Sequence, residues 1–376
     1  MDTGHLPFDT RRAQDDDLSV LRLIRSRRVG PATYHRLVAE HGSARAALDA
    51  LPEIAAAAGI AGYEVCPEGV AAAELAAGRK CGARLIRIDS PLYPSALREI
   101  DGAPPILWVR GDPSWLSRNP VAVIGARNAS SLGLRMARGM ATGLGEAGHT
   151  VVAGLARGID TAAHNAALPT GTIAVMAGGV DVIYPAENVI LAAQIAEKGA
   201  LVSEQPPGTE PQARHFPTRN RIVSGLSQAV VVIEAAHRSG TLITAKNALD
   251  QGREVMAVPG HPMDARAGGC NQLIRDGAIL VRNSADVCTA LGQEPELAGM
   301  AEAPAAPALS PALRPEPADP AQIEARILSR LGPSPSDEND VIRDLGLPAA
   351  AASAAILSLE LQGRLLRVPG GRLALG

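Results

Sequence analysis

Val121-Ala122-Val123-Ile124-Gly125 is a short apolar run that ends in a small-residue turn, and it opens the pattern that decides the fold. Six similar runs follow, most of them separated by helical stretches: Thr150–Gly154, Thr172–Ala177, Ala200–Glu204, Ala229–Glu234, Glu254–Pro259 and Ala278–Val281. Continuous Val, Ile and Ala strands that alternate with helices are typical of a parallel sheet covered on both faces. Right-handed crossovers then predict an α/β fold, a doubly wound, Rossmann-like parallel sheet.

The segments before this pattern predict smaller units. Residues 1–17 are polar and charged, and we expect them to be disordered. Residues 18–80 carry apolar residues at helical spacing, with Arg28-Val29-Gly30-Pro31 as a turn. This turn indicates either a helix-hairpin-helix, whose backbone N–H groups can face a phosphate, or a plain helical bundle. Residues 84–120 are interpreted as a connector with two strand-like pieces, Arg84–Ile88 and Ile106–Arg110, and the α/β domain is expected to span 84–290.

The segments after the α/β domain predict a linker and a terminal domain. Residues 293–320 are rich in Pro, Ala and Glu, which is typical of a linker. Residues 321–376 predict three helices followed by a β-hairpin with Gly370-Gly371 in its middle: Ile323–Leu331, Asp337–Leu345, Ala349–Gln362 and Gly363–Ala374. Three helices and a hairpin indicate a winged helix.

Composition excludes several classes of protein. With two Phe, two Trp and four Tyr, the chain has too few aromatics for a module that stacks many bases. The four cysteines are scattered without a C-x-x-C pair, which argues against a zinc site or a disulfide framework. We find no signal peptide and no membrane-spanning run, and therefore expect a cytoplasmic protein. A nucleophile elbow, a Walker A loop and a zinc-protease motif are also absent, so we expect a binding protein without metal or cofactor rather than an enzyme.

The cationic stretch from Pro211 to Gly225 contains three arginines and a histidine but no carboxylate, although the chain carries a formal net charge of -3. Phosphate binding depends on the local field rather than on total charge. If Thr218 caps the next helix, Arg219, Asn220 and Arg221 lie in its first turn. Cations at the N-terminus of a helix are repelled by the helix dipole. Their position there becomes favourable once an anion binds beside them. Ligands of open parallel sheets bind at the carboxyl ends of the strands. Over all the loops at that edge, arginines and carboxylates are nearly equal in number, so the expected cationic patch is limited to four residues: Arg127, Arg214, Arg219 and Arg221.

Other loops at the carboxyl edge of the sheet have open interpretations. The loop with Arg127, Ser130 and Ser131 suits an anion at a helix N-terminus, or it is a plain turn with a Ser cap; it is not G-x-G-x-x-G. The loop 154–160, which carries Arg157, leads to Asp160 and His164 on one helical face. These two could form an acid–base dyad, but we favour a capping Asp160 with His164 held nearby. The loop with Tyr184-Pro185 permits close backbone approach or is a tight turn. Ser239-Gly240-Thr241 opens another helix with free N–H groups.

Seven blocks occur in an order that resembles the DprA/Smf family of bacterial DNA-processing proteins: VAVIGAR (121–127), VVAGLARGIDTAAHNAAL (151–168), MAGGVDVIYPAEN (176–188), LVSEQPPG (201–208), FPTRNRIVSGLS (216–227), SGTLITAKNALDQGREVMAVPG (239–260) and CNQLIRDGA (270–278). The resemblance implies an extended Rossmann fold that binds single-stranded DNA without sequence specificity, between an N-terminal SAM-like domain and a C-terminal winged helix. It also implies a homodimer through the Rossmann-like domain. Its expected role is to protect incoming strands during natural transformation and to load the RecA recombinase onto them.

The resemblance also implies a set of DNA contacts. Arg127 of the G-A-R motif and the arginines of F-P-T-R-N-R are expected to touch DNA, with Arg214 and a base-stacking Phe216 beside them. Family members often carry S-x-Y-G after the G-A-R motif, and Ser131-Leu132-Gly133 lacks that tyrosine. The expected DNA-binding residues are Arg127, Ser130, Ser131, Arg157, Arg214, Phe216, Arg219, Asn220, Arg221, Ser239, Gly240 and Thr241.

Two rival functions start from other residues. Glu234 followed by Ser239-Gly240-Thr241 faintly resembles the loop of LOG-like nucleotide phosphoribohydrolases, but the double glycine and the following Glu of that loop are absent. A winged helix could also read duplex DNA as a repressor does. Its expected recognition helix, Ala349–Gln362, contains no Arg or Lys, so a role in protein interaction is favoured there.

Overall fold

The computed structural model describes residues 10–293, 319–368 and 371–376, with side chains from Asp17 onward. The N-terminal domain consists of four helices: α1 (Thr10–Arg25), α2 (Pro31–His41), α3 (Ala44–Ala57) and α4 (Glu68–Lys80). The predicted turn is present, because Gly30 is the N-cap of α2 and Pro31 occupies its first helical position. Proline is tolerated there since the first N–H groups of a helix have no internal partner.

Helix α1 includes residues 10–17, the second half of the segment 1–17 that the sequence predicts to be disordered. An established helix adds residues at low cost, so polarity alone does not end it. Asp17 is also fixed by tertiary structure, since its carboxylate pairs with Arg87 at 3.0 Å. Residues 1–9 lie outside the described part of the chain.

The central sheet has nine strands in the described part of the chain: β1 (Ala83–Arg87), β2 (Ile106–Gly111), β3 (Pro120–Ile124), β4 (Thr150–Ala153), β5 (Thr172–Val175), β6 (Ala200–Ser203), β7 (Ala229–Val232), β8 (Glu254–Ala257) and β9 (Ile279–Leu280). Their order is β1-β2-β6-β5-β4-β3-β7-β8-β9. The seven strands β3 to β9 run parallel to one another. At one edge of the sheet, β2 pairs antiparallel with β6, and β1 pairs antiparallel with β2. The doubly wound sheet predicted from the sequence is confirmed.

Helices cover both faces of the sheet: α5 (Ser95–Arg98), α6 (Ser131–Glu146), α7 (Ile159–Ala167), α8 (Val189–Lys198), α9 (His215–Leu226), α10 (Gly240–Asp250), α11 (Gly268–Arg275) and α12 (Ser284–Ala290). One core lies between the sheet and α6, α7 and α12. The opposite core lies under α5, α9 and α10. Alternate residues of each strand, such as Val121 and Ala122, enter opposite cores, which explains why the strands are apolar throughout.

The helical domain is fixed to the sheet by a buried polar cluster. Trp108 of β2 donates its indole N–H to Glu74 of α4 at 2.9 Å, and Arg25 of α1 forms two hydrogen bonds with the same carboxylate. Gly78 lies against the Trp108 ring so closely that an added Cβ would stand 2.1 Å from it. Trp108 is 1 % exposed, so burial of its large ring also stabilises this contact.

The C-terminal domain has the predicted winged-helix elements: α13 (Pro320–Arg330), β10 (Ser336–Asp337), α14 (Glu338–Leu345), α15 (Ala349–Leu361), β11 (Leu365–Val368) and β12 (Arg372–Leu375). Its strands form a small antiparallel sheet in the order β10-β12-β11. Most of the expected linker, residues 294–318, lies outside the described residues. Within the described ranges, no helix has the length and apolarity required to cross a bilayer.

The strand order creates a crevice at the middle of the sheet. β3 pairs with β4 on one side and with β7 on the other, so the chain winds away from β3 in both directions. The loops after β3 and β7 therefore diverge at their carboxyl ends, where open α/β sheets bind their ligands.

Candidate nucleic-acid interface

Arg127 lies exposed in the loop after β3 and contacts the ring of Phe216, one member of an aromatic pair. Its guanidinium carbon lies 5.4 Å from the ring centroid of Phe216, which is half-buried at the start of α9. Phe216 in turn makes an edge-to-face contact with Tyr184, with ring centroids 5.8 Å apart and planes at 64°. Two loops and the start of α9 therefore build one surface of a cation and two rings, which we call the Arg127–Phe216–Tyr184 surface.

Tyr184 is the member of this surface that sequence reasoning missed. Its loop was interpreted as a close backbone approach or a tight turn, whereas the ring is 52 % exposed beside Phe216. The two rings border a small pocket whose wall includes Gly154, Gly178 and Pro211. The sequence did contain a signal for Tyr184. Aromatic residues are scarce in this chain, and Tyr184 is one of only four tyrosines and lies in a loop expected at the carboxyl edge of the sheet.

Arg219 is buried, and the structure does not place it at the surface. It is 6 % exposed, and its Nη1 donates to the carbonyl of Gly154 at 2.6 Å and also to the carbonyl of Val175. Burial lowers its pKa to about 10, and nearby Asp160 opposes that shift. Arg219 thus joins the carboxyl ends of β4 and β5 from beneath the interface.

The predicted helix start at Thr218 is wrong, because α9 begins at His215 with Arg214 as its N-cap residue. Pro217 falls within the first turn, where a missing N–H costs nothing. Arg219, Asn220 and Arg221 therefore follow the first turn and do not crowd the positive end of the helix dipole.

Arg221 is also committed to an internal partner. Its guanidinium pairs with Glu204, and both side chains are mostly buried, at 17 % and 14 % exposure. Burial raises the pKa of the Glu204 carboxyl, and the adjacent Arg221 opposes that rise. Asn220 is half-buried and accepts from Nε of Arg219 at 3.2 Å. The expected cationic patch therefore keeps two exposed members, Arg127 and Arg214.

Arg157 is exposed after β4 and forms a double hydrogen bond with Glu187 at 2.7 and 2.8 Å. Both side chains are more than half exposed. An exposed pair of this kind contributes little net stability, so Arg157 can exchange its carboxylate for another anion at low cost. Arg214 is exposed next to Phe216 and donates from Nε to the His215 ring at 3.4 Å.

Ser130 and Ser131 are buried at the start of α6, each 3 % exposed. Ser130 accepts from Gly133 N at 2.9 Å, so it caps the helix as the plain-turn interpretation predicted. Its own N–H and hydroxyl donate to the Glu234 carboxylate after β7. Burial raises the pKa of Glu234, and these hydrogen bonds oppose the rise. Ser131 lies beside Asp344 of the winged-helix domain.

The α10 N-terminus lies next to the β3 loop. Ser239 caps α10 by accepting from Thr241 N at 3.1 Å, and the Thr241 hydroxyl donates to the carbonyl of Gly125 at 3.1 Å. Gly240 is exposed between them. The Thr241 hydrogen bond thus holds the start of α10 against the loop after β3. The sequence predicts this proximity, since both segments follow parallel strands at their carboxyl ends.

Asp160 and His164 are buried structural residues. The N-cap of α7 is Gly158, and Asp160 instead accepts from the N–H groups of Gly154 and Ala156, so the capping prediction is wrong in detail. Nδ1 of His164 lies 2.8 Å from the Thr172 hydroxyl. That hydroxyl donates to Val151, so it accepts from Nδ1–H of a neutral ring. Burial lowers the His164 pKa to about 3.

Three family models match the chain in the order of its domains. The central one, DNA recombination-mediator protein A, covers residues 84–292. The chain belongs to this family. A DprA-like N-terminal HHH domain matches residues 14–77, and a DprA winged helix domain matches residues 300–371.

Individual relatives agree with this membership. The DNA processing protein DprA of Bacillus subtilis is 43% identical over 216 residues, which are 57% of this chain and 73% of the relative. A crystal structure of DprA from Streptococcus pneumoniae is similar with a TM-score of 0.56 at 40% identity, covering 59% of this chain and 77% of that one. A structure from Helicobacter pylori, which addresses a single-stranded DNA binding mode, has a TM-score of 0.52 at 27% identity over 56% and 97% of the two chains.

Proposed function

We propose that the protein binds single-stranded DNA without sequence specificity, through the Arg127–Phe216–Tyr184 surface. The observation that carries this proposal is the contact of exposed Arg127 with the Phe216 ring, which packs edge-to-face against Tyr184 at the ligand edge of the sheet. The Helicobacter pylori relative, whose structure addresses single-stranded DNA binding, supports the choice of ligand.

The chemistry of this surface suits a single strand better than a duplex. Arg127 presents a planar fork for phosphate, and Arg214 adds a second exposed cation beside Phe216. The rings of Phe216 and Tyr184 can stack on splayed bases, at roughly 1–3 kcal/mol per base. Stacked bases of a duplex cannot reach such rings. Every base has a π face, so stacking and phosphate contact select no sequence.

Arg219 and Arg221 support this surface from below. Arg219 holds the ends of β4 and β5, and Arg221 holds Glu204 after β6. Both lie on α9, the helix that begins with the residues around Phe216. We therefore assign them a positioning role, and we assign the direct contacts to Arg127, Arg214, Phe216 and Tyr184.

We infer a binding role rather than catalysis, in which the protein protects incoming single strands during transformation and passes them to a RecA-type recombinase. A homodimer through the Rossmann-like domain would present the surface twice, and a strand that spans both copies would gain avidity. A cytoplasmic location fits these partners. Burial of Asp160 and His164, and engagement of Glu234 by Ser130, support the absence of a hydrolytic site.

The test is a fluorescence-anisotropy titration with a labelled single-stranded oligonucleotide and with its duplex, at two salt concentrations. We expect tighter, salt-sensitive binding of the single strand. Arg127→Ala should weaken binding to all sequences and reduce the salt slope by about 0.7, the share of one phosphate contact. Arg275→Ala is the matched control, because Arg275 is exposed at the far end of α11, after that helix has returned from the ligand edge.

Two results would contradict this function. Equal binding of single strand and duplex, or an Arg127→Ala slope equal to that of Arg275→Ala, would remove the surface from DNA binding. Release of ribose 5-phosphate from a nucleoside monophosphate would favour the phosphoribohydrolase alternative.

A further inference from the structure

The winged-helix domain contacts the Rossmann domain beside the proposed DNA surface. Arg330, the last residue of α13, donates from Nη1 to the carbonyl of Ala129 at 2.6 Å. Ala129 lies two residues after Arg127, in the same loop. Arg266, before α11, donates to the carbonyls of Ser329 and Leu331 at 3.0 and 2.7 Å. The domain is therefore docked onto the loops that follow β3 and β8.

Two carboxylates of α14 pair with two arginines of α6. Asp344 lies 3.2 Å from Nη1 of Arg138 and is 2 % exposed. Asp340 lies 3.3 Å from Nη1 of Arg135 and is 20 % exposed. Burial raises the pKa of Asp344, whereas Arg138 and the Ser131 hydroxyl oppose the rise. Helix α14 thus places negative charge near the N-terminus of α6, a position that also attracts phosphate.

The character of this contact favours reversible docking. The winged-helix domain has an apolar core of its own, built from residues such as Ile327, Val341 and Ile356. The hydrogen bonds and ion pairs that join it to the Rossmann domain involve arginines, carboxylates and backbone carbonyls. Polar interfaces between domains open more easily than apolar ones. Separation would leave both domain cores intact.

We propose that the winged-helix domain competes with single-stranded DNA in cis, with Asp340 and Asp344 occupying arginines of α6 that a strand extending beyond Arg127 would meet. The inference rests on the proposed function of the Arg127 surface. Docking opposes DNA in two ways, because it neutralises Arg135 and Arg138 and because it sets carboxylates next to the path of the phosphates. Both parts belong to one chain, so the competition persists at every protein concentration.

The test compares two full-length double variants that remove the same charge. Asp340→Asn with Asp344→Asn breaks the pairs to α6. Glu338→Gln with Glu360→Gln is the control, because both of these residues pair with Arg367 inside the winged-helix domain. Each double variant changes the formal net charge from -3 to -1. Circular dichroism verifies that both fold, and small-angle X-ray scattering of the DNA-free proteins measures docking through the radius of gyration.

We expect the Asp340/Asp344 variant to have a larger radius of gyration and a three- to tenfold lower Kd for a single-stranded oligonucleotide, about the effect of two modest ion pairs. Its salt slope should be steeper by up to about 1.4, since two arginines become available to phosphates. The control should match the parent in both measurements.

An unchanged radius of gyration, or a Kd equal to or above that of the control, would overturn the inference. Equal binding by the parent and both variants refutes only the competition. Failure of all three proteins to bind DNA refutes the proposed function and the competition together.

Discussion

Replacing Arg219 by Ala should destabilise the Rossmann domain without removing a DNA contact. In the structure the guanidinium is 6 % exposed and donates to the carbonyls of Gly154 and Val175, close to the buried Asp160 carboxylate. Alanine leaves both carbonyls without this donor. It also removes the cation that partly offsets the burial of Asp160, whose pKa burial already raises.

The magnitude follows from these groups. Leaving a buried acceptor without its donor costs about 1–3 kcal/mol, and two carbonyls lose the Arg219 donor here, so we expect a loss of about 2–6 kcal/mol. Arg219→Lys should recover only part of this loss, since its shorter side chain keeps the charge but lacks the Nε donor to Asn220 and the planar guanidinium that places Nη1 between the two carbonyls. The expected order of stability is parent, Arg219→Lys, Arg219→Ala.

Tryptophan fluorescence during urea unfolding is a suitable assay, because the only two tryptophans, Trp108 and Trp115, pack against the Rossmann sheet. We expect a lower urea midpoint for Arg219→Ala and an unchanged midpoint for Arg127→Ala. In the DNA titration the folded fraction of Arg219→Ala should keep the salt slope of the parent. A parental midpoint combined with a slope reduced by about 0.7 would refute the reasoning, since Arg219 would then act at the surface on phosphate.

Three further predictions follow from contacts described above. Phe216→Leu or Tyr184→Leu should weaken single-strand binding by roughly 1–3 kcal/mol per lost base stack, measured by anisotropy, while the salt slope stays constant; a changed slope with constant affinity would contradict stacking. Burial depresses the pKa of His164 to about 3 in the folded state, so the free energy of unfolding should fall by about 1.4 kcal/mol per pH unit as pH decreases from 6.5 toward 3. His164→Asn should remove this pH dependence from urea midpoints measured across the same range. A pH profile that the substitution leaves unaltered would contradict a neutral buried ring. Gly78→Ala should cost about 1–3 kcal/mol through its clash with Trp108, whereas Gly69→Ala in the same helix, with open space at its Cβ, should be neutral or stabilising; equal urea midpoints for the two would place Trp108 elsewhere.

The sequence predicts the sheet well because buried parallel strands are apolar along their whole length. The runs at Val121–Gly125 and Ala229–Glu234 differ from the observed strands by at most two residues at either end. Parallel strands then place the loops after β3, β5 and β6 at one carboxyl edge, so the edge that carries the candidate site could also be inferred.

The orientation of the arginines could not be inferred in the same way. The partners of Arg219 are the backbone carbonyls of Gly154 and Val175, which are remote from it in sequence. Every residue has a backbone carbonyl, so no residue type marks these two as its partners. Glu204 removes Arg221 from the surface by the same kind of distant contact. The number of arginines in the stretch 211–225 therefore overestimates the positive charge that is exposed at the candidate site. The contact of Phe216 with Tyr184 also depends on loop geometry that no local pattern encodes.

The three members of the Arg127–Phe216–Tyr184 surface come from the loops after β3 and β5 and from the start of α9. These residues are far apart in sequence and meet only in the folded sheet, so the unfolded chain lacks this surface. If this surface binds single-stranded DNA as proposed, DNA at one hundred times its Kd stabilises the native state by about 2.7 kcal/mol, because it binds the folded chain alone. A bound strand should therefore slow proteolysis of the whole Rossmann sheet, including strands that it never touches.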